Sequence, residues 1–274
     1  MKRTELDMVI GWAAAEGWNP GLHDAECFFN VDPDGFFIAE LSGRPIGAIS
    51  AVAYDRSFGF VGLFIVVPEH RGNGIGMRLW RTGLEYLGQR NVGLDGVLAM
   101  QDRYAERGFG YAHRNVRYEG RGGASMLPEI EAEVVDLREV SIERLSPYDA
   151  GMFPAARPDF LRDWTTRPGT TGFAALSGDA LRGYGVLRPC ISGYKIGPLM
   201  ADDEQLARSL FAALSAAAPD ASIYLDTPQT NAAAVRLAES NGMTPVFETA
   251  RMYTADPPPI DLARVFGITS FELG

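Results

Sequence analysis

Cysteine is scarce: in 274 residues it occurs only at Cys27 and Cys190. Two thiols so far apart, without partners at metal-ligand spacing, exclude a disulfide framework and a cysteine metal site, so no metal is expected and a reducing cytoplasm fits best. Basic residues are also in deficit, with 25 Lys and Arg against 35 Asp and Glu and a net charge of -10. Binding to a phosphate backbone needs clustered cations, so no nucleic-acid partner is expected. An acidic surface suits a cationic small substrate, although it is also the commonest solubility device. No apolar run is long enough to span a bilayer, and Glu5 and Asp7 stand where a signal peptide would be apolar. Neither a membrane partner nor a secretory leader is expected. Low-complexity tracts are absent too, while 46% of the residues are hydrophobic, enough to bury a large core.

The length admits one large domain or two ordinary ones. Thr4 and Asp7 read as the start of a helix carrying Leu6, Val9, Ile10, Ala13 and Ala14 at helical spacing. After the turn-rich Gly17-Trp18-Asn19-Pro20-Gly21, a short helix is expected over residues 24–29. Residues 36–40 and 46–52 read as a hairpin turned by Ser42-Gly43-Arg44-Pro45, and 58–67 as a third strand. A glycine loop follows, then a helix marked by Ile75, Leu79, Leu84 and Leu87, a strand over 95–100, a helical piece through Tyr104 and a last strand after Gly108-Phe109. The stretch 119–127, EGRGGASML, is the clearest linker. Beyond it the order repeats: a strand over 134–140, strands over 172–176 and 183–187, another at 196–200, a helix over 203–217 and a strand over 222–226. The second half reads as a diverged copy of the first. Its counterpart of the glycine loop is Ala201-Asp202-Asp203-Glu204-Gln205, acidic where an anion would have to sit.

In the first half, the strand 58–67 delivers the chain into Arg71-Gly72-Asn73-Gly74-Ile75-Gly76 and a helix. Unpaired amides at the positive end of a helix form an anion site, and glycine lets the backbone come close to the anion. The loop lacks the Gly-Lys-Ser/Thr ending of a nucleotide-hydrolysing P-loop, and its alternating glycines do not match the dinucleotide fingerprint. Binding of a pyrophosphate without hydrolysis is the implied task.

Val67-Pro68-Glu69-His70 followed by this loop resembles the central motif of the GCN5-related N-acetyltransferase (GNAT) superfamily. The resemblance implies an α/β (α+β) fold of two tandem domains, each a mixed, mostly antiparallel twisted sheet flanked by helices. The expected units are a catalytic domain over 1–121, a linker over 122–131 and a domain without coenzyme loop over 132–274. It implies acetyl-CoA as co-substrate, with the backbones of Phe64, Ile65 and Val66 along the pantetheine arm and Arg71, Gly72, Asn73, Gly74, Ile75, Gly76 and Met77 around the phosphates. The doubled layout, with residues 17–21 near the start and Phe266-Gly267-Ile268-Thr269-Ser270-Phe271-Glu272-Leu273-Gly274 at the end, is similar to the YitH-type branch.

Acetyl transfer to an amine needs a neutral nucleophile, an oxyanion stabiliser and an acid for the departing thiolate. The resemblance places Tyr104, five residues before Phe109, in the last role; a buried tyrosine bonded to backbone is the ordinary alternative. No carboxylate occupies 60–67, where many members of the superfamily carry one, so Asp24, Glu26 and Asp102 are the candidate bases, each also readable as a solvated acid. His23, His70 and His113 are expected to be solvated. Trp18 and Asn19 are candidates to wall the acceptor site, with a core tryptophan the competing reading. Asp226, ending a strand before Thr227-Pro228, is a candidate to reach the acceptor or to cap the next helix. The expected partner is a small-molecule amine, and monomer and homodimer both fit. Two rivals stand beside the transferase: a non-catalytic acyl-CoA-sensing module, and an aminoacyl-transferase using charged tRNA, which the acidic charge disfavours.

Overall fold

A computed structural model describes residues 1–123 and 132–274. The first half builds α1 (Arg3–Ala15), α2 (Asp24–Val31), β1 (Phe36–Leu41), β2 (Arg44–Ala53), β3 (Phe58–Val66), α3 (Ile75–Leu87), β4 (Asn91–Val97), α4 (Gln101–Ala105) and β5 (Gly110–Arg121). The second builds β6 (Glu133–Asp136), α5 (Ile142–Asp149), α6 (Pro158–Thr166), β7 (Thr171–Ser177), β8 (Ala180–Pro189), β9 (Tyr194–Ala201), α7 (Glu204–Ala216), β10 (Ser222–Pro228), α8 (Ala232–Ser240), β11 (Thr244–Tyr253) and β12 (Val265–Gly267). Apart from Gly122 and Gly123, the linker expected at 122–131 lies outside the described residues.

Several boundaries differ from those expected. Helix α1 begins at Arg3, where the Glu5 carboxylate accepts the Lys2 N–H; Asp7 caps nothing and pairs with Arg3 at 2.8 Å. Strand β4 starts four residues before the expected 95 and gives way to a 3-10 turn at Leu98. The strand expected over 134–140 ends at Asp136, because its carboxylate takes the Arg138 N–H and turns the chain. Helices α5 and α6 were not anticipated; α6 opens on Pro158 and packs Phe160, Leu161 and Trp164 inward, so their register is helical.

The sheet runs β1-β2-β3-β4-β11-β5-β10-β9-β8-β7-β6, with β12 added on β9. Neighbours are antiparallel except β3 with β4 and β9 with β10, and these two parallel pairs occupy equivalent places in the two halves. The last strands are exchanged: β11, from the second half, lies between β4 and β5, and β5 pairs with β10. Alternation along β2 assigns its two faces. Ile49 and Ala51 pack under α3, whereas Ala48 and Val52 face α1 and α2. The cluster on this second face runs on without a break into α6, β8 and the chain end, joining Phe28 to Trp164 at 6.0 Å.

The two parallel pairs part in the same way and are filled differently. β9 stays with β10 only as far as Ile196 and Leu225. Beyond that point the chain's own end enters: β12 pairs with β9, the Ile268 N–H donates to the Asp226 carbonyl at 2.8 Å, and a Cβ on Gly197 would stand 2.7 Å from the carbonyl oxygens of Ile268 and Thr269. In the first half β3 leaves β4 after Val61 and Leu94, and the gap stays open.

Candidate active site

The gap between β3 and β4 is the mouth of a cavity of about 550 Å³. Its cause is local. Opposite β2, the partners jump from Ala48–Ile65 to Ser50–Gly62, so β3 carries one extra residue, and Leu63 sits at φ 45°. Such a bulge bends the strand away from its neighbour, and a non-glycine residue there stores about 1–3 kcal/mol. Past Val61 the edge of β3 facing β4 has no ladder partner among the described residues, and Phe64, Ile65 and Val66 line the cavity.

At the outer end stands the N-terminus of α3. Gly72 and Gly74 take φ 82° and 77°, values open to glycine, and no side chain caps the helix. The first turn holds no acid but contains Arg78, a cation at the positive end of the dipole. An anion relieves that arrangement, and the uncrowded glycines leave it room. Arg71 also lines the cavity, while its Nε donates to the Val66 carbonyl at 2.8 Å and its guanidinium pairs with Glu16, holding the turn against β3. Asn73 reaches back to the His70 carbonyl at 3.5 Å, while Gly72, Gly74, Gly76, Met77 and His70 line the cavity.

Tyr104 forms part of the wall from α4. Its ring lies 5.5 Å from Trp80, and Gly96 makes room for it, since a Cβ there would fall 2.4 Å from the ring. Burial pushes its hydroxyl up to about 12, with Arg107 pulling weakly downward. It therefore stays protonated at neutral pH.

The other candidates divide. Trp18 lines the cavity, and its carbonyl accepts from Arg117 at 2.7 Å and from the Lys195 ammonium at 3.2 Å. Asn19 is turned away, its amide group closed on the Ser192 backbone through two bonds of 2.9 Å. Asp24 is buried outside the cavity, bonded to the Gly21 N–H and paired with Arg188 at 2.9 Å; burial opposes its charge, but Arg188 holds the carboxyl below its usual range. Asp226 is held below the usual range in the same way, burial being outweighed by Arg117 at 2.7 Å, and it caps no helix, since Asn231 caps α8. Glu26 pairs with Arg167, and Asp102 lies exposed on α4. His113 is buried rather than solvated.

In the second half the turn after β9 is satisfied by its own side chains. Asp203 accepts the Leu206 N–H as N-cap of α7, and Asp202 pairs with Arg182 and Arg264. That helix start is thus capped and acidic, which opposes an anion there.

The sequence pattern of the acetyltransferase (GNAT) family matches residues 6–111, and that of an acetyltransferase (GNAT) domain matches 145–267. A holothin acyltransferase from Pseudoalteromonas sp. (strain SANK 73390) is 30% identical over 271 residues, covering 98% of this chain and 92% of the relative. The chain belongs to the GNAT acetyltransferases. A solved structure of an acetyltransferase candidate from Pyrococcus horikoshii superposes with a TM-score of 0.85 at 22% identity, over 100% of this chain and 94% of that one. A tandem GNAT protein from the clavulanic acid biosynthesis pathway superposes with a TM-score of 0.65 at 16% identity, over 94% and 98%. Both show the doubled fold end to end.

For an acetyltransferase the inner wall matters most, and sequence reasoning missed it. Phe247 and Thr249 come from β11, and Phe271 and Glu272 from the chain end. Three carboxylates line the cavity: Glu16 is bound to Arg71, Asp95 to Arg251, and Glu272 has no hydrogen-bond partner among the described residues. A lone acid inside the apolar run 265–273 was the available signal. No group of His, Cys, Asp and Glu placed to hold a metal occurs among the described residues, and no described helix is long and apolar enough to cross a membrane.

Proposed function

We propose that this GNAT acetyltransferase moves an acetyl group from acetyl-CoA to the primary amine of a small molecule by direct attack on the thioester. One observation carries the reading: a single cavity joins the unpaired edge of β3, the uncapped N-terminus of α3 and the hydroxyl-bearing Tyr104. Acetyl-CoA, when bound, supplies the activated acyl carbon and the departing sulfur. The amides of residues 72–77 hold the pyrophosphate, and the exposed backbone of Phe64, Ile65 and Val66 pairs with the arm as a further strand would. Arg71 positions this loop through its bond to the Val66 carbonyl. As the neutral amine attacks and the C–S bond breaks, the Tyr104 hydroxyl delivers its proton to the sulfur inside an apolar wall, where a bare thiolate is unstable and a weak acid suffices, and the proton lost from the new amide nitrogen returns to the tyrosine through water. The acceptor enters from the side of β11 and the chain end. The doubled layout supports a place in the YitH-type branch, and the buried thiols of Cys27 and Cys190 support a cytoplasmic setting.

Thiol release from acetyl-CoA across a panel of amines tests the reading. Turnover with some amine is expected, and Tyr104→Phe should lower kcat about 10²-fold with little change in the KM for acetyl-CoA. Undiminished turnover in that variant removes Tyr104 from the role. Stabilisation by acetyl-CoA without thiol release from any amine favours a sensing module instead.

A further inference from the structure

The acceptor end of the cavity is assembled from three remote segments: Trp18, the β11 residues Phe247 and Thr249, and the terminal Phe271 and Glu272. The Phe247 and Phe271 rings lie 5.9 Å apart at 50°, so they present an angled aromatic wall. Glu272 is 2% exposed, and neither carboxylate oxygen meets a donor among the described residues.

The cations around it bond to other groups, although the Arg188 Nη1 meets no acceptor among the described residues. Arg117 is bound to Asp226 and the Trp18 carbonyl, Arg188 to Asp24, and the Lys195 ammonium to the Trp18 carbonyl. They feel the charge of Glu272 without bonding to it. A carboxylate taken out of water without hydrogen bonds is costly unless a ligand completes it.

The backbone at Glu272 is fixed against the bulged strand. A Cβ on Gly62 would stand 2.0 Å from the Glu272 carbonyl oxygen, the Tyr54 hydroxyl donates to the Leu273 carbonyl at 2.9 Å, and the Leu273 N–H donates to the Ser270 hydroxyl at 3.1 Å. Glu272 is thus held against Gly62, just where β3 has parted from β4.

Building on the transferase reading above, we infer that Glu272 draws in the acceptor as its ammonium, which gives up a proton to water before the neutral amine attacks, and that the acceptor is a monoamine carried on a flat aromatic ring lying among Trp18, Phe247 and Phe271. One unbonded carboxylate matches one cationic nitrogen, not a polycation. Aromatic faces suit both the ring and the charge it carries.

The test uses the full chain loaded with CoA and four probes: phenethylamine, its uncharged analogue 2-phenylethanol, spermidine and glutamate. Calorimetry should show phenethylamine bound in preference to the other three. In Glu272→Gln the preference for phenethylamine over 2-phenylethanol should shrink about tenfold or more, while Glu272→Asp retains part of it. Structural damage would weaken both ring ligands alike and lower the thermal stabilisation by CoA, which is expected to be unchanged. An undiminished preference in Glu272→Gln overturns the anchor. Tighter binding of spermidine or glutamate, or no binding of phenethylamine, overturns the substrate class. Phenethylamine binding without thiol release from acetyl-CoA counts against the transferase reading alone.

Discussion

His113 lies in β5 opposite Arg251 of β11, 6% exposed and beside the Asp95–Arg251 pair. Burial pushes its imidazole down to about 4, the Arg251 charge adds to this, and Asp95 and Asn115 oppose it. The folded protein therefore binds this proton less tightly than the unfolded chain, whose histidine titrates near 6.5. Above that pH both states are neutral and nothing is lost. As pH falls from 6.5 towards 4, the unfolded chain takes up a proton that the folded one refuses, and stability drops by about 3 kcal/mol. Asp24 and Asp226 act in a lower window, because carboxyls held below 3.8 lose their contribution only as pH falls further. Urea midpoints measured between pH 7 and 4 should fall, and His113→Gln should flatten that slope; a slope unaltered by the substitution would assign it to other groups. In sequence His113 reads as a solvated histidine, because the strand that buries it lies about 140 residues further along the chain.

The proposed anion site belongs to one element, the turn from β3 into α3, and the matching turn of the second half gives a comparison inside one molecule. Gly74 stands at φ 77° with open space where a Cβ would go, so Gly74→Ala pays a conformational cost of about 1–2 kcal/mol and no clash. Its expected signature is a modest loss of melting temperature together with a large loss of acetyl-CoA-linked stabilisation. Asp203→Ala, at the matching turn, should cost about 1 kcal/mol through the lost cap and leave acetyl-CoA binding intact. A coenzyme response that fell equally in both variants would contradict a single site. Elements with regular spacing were legible in sequence: α3 shows its buried Leu79 and Leu87, and the β1–β2 hairpin its Ser42-Gly43 turn at φ 52° and 76°. Helix α5 was not, since its eight residues include Pro147 and only Leu145 and Asp149 are buried.

At the scale of the molecule, the two halves are units of sequence rather than of folding. Removing residues 132–274 would strip β11 from between β4 and β5, expose two strand edges and open the core that joins Phe28 to Trp164. The inner wall would go too, because Phe247, Thr249, Phe271 and Glu272 all belong to the second half. Residues 1–121 expressed alone are therefore expected to aggregate and to give no acetyl-CoA-dependent thermal shift, whereas co-expression with 132–274 should restore a soluble pair. A soluble 1–121 fragment that binds acetyl-CoA would show that the exchanged strand is dispensable.

The glycine loop and its helix could be read directly from the chain, because a strand, three glycines and a helix within some twenty residues set their own backbone geometry and need no distant partner. The doubling could be read as well, since each copy repeats its own local pattern, and so could the loss of the loop in the second copy. The acceptor wall could not. It depends on which strands exchange and on where the last ten residues run, and both follow from burial of apolar area across the whole sheet, a term with no signature in local spacing. For the same reason Asp24, a plausible base when read along the chain, and Asp226, a plausible acceptor contact, are bound to arginines more than 100 residues away, and among the described residues the unbonded carboxylate at the cavity is Glu272.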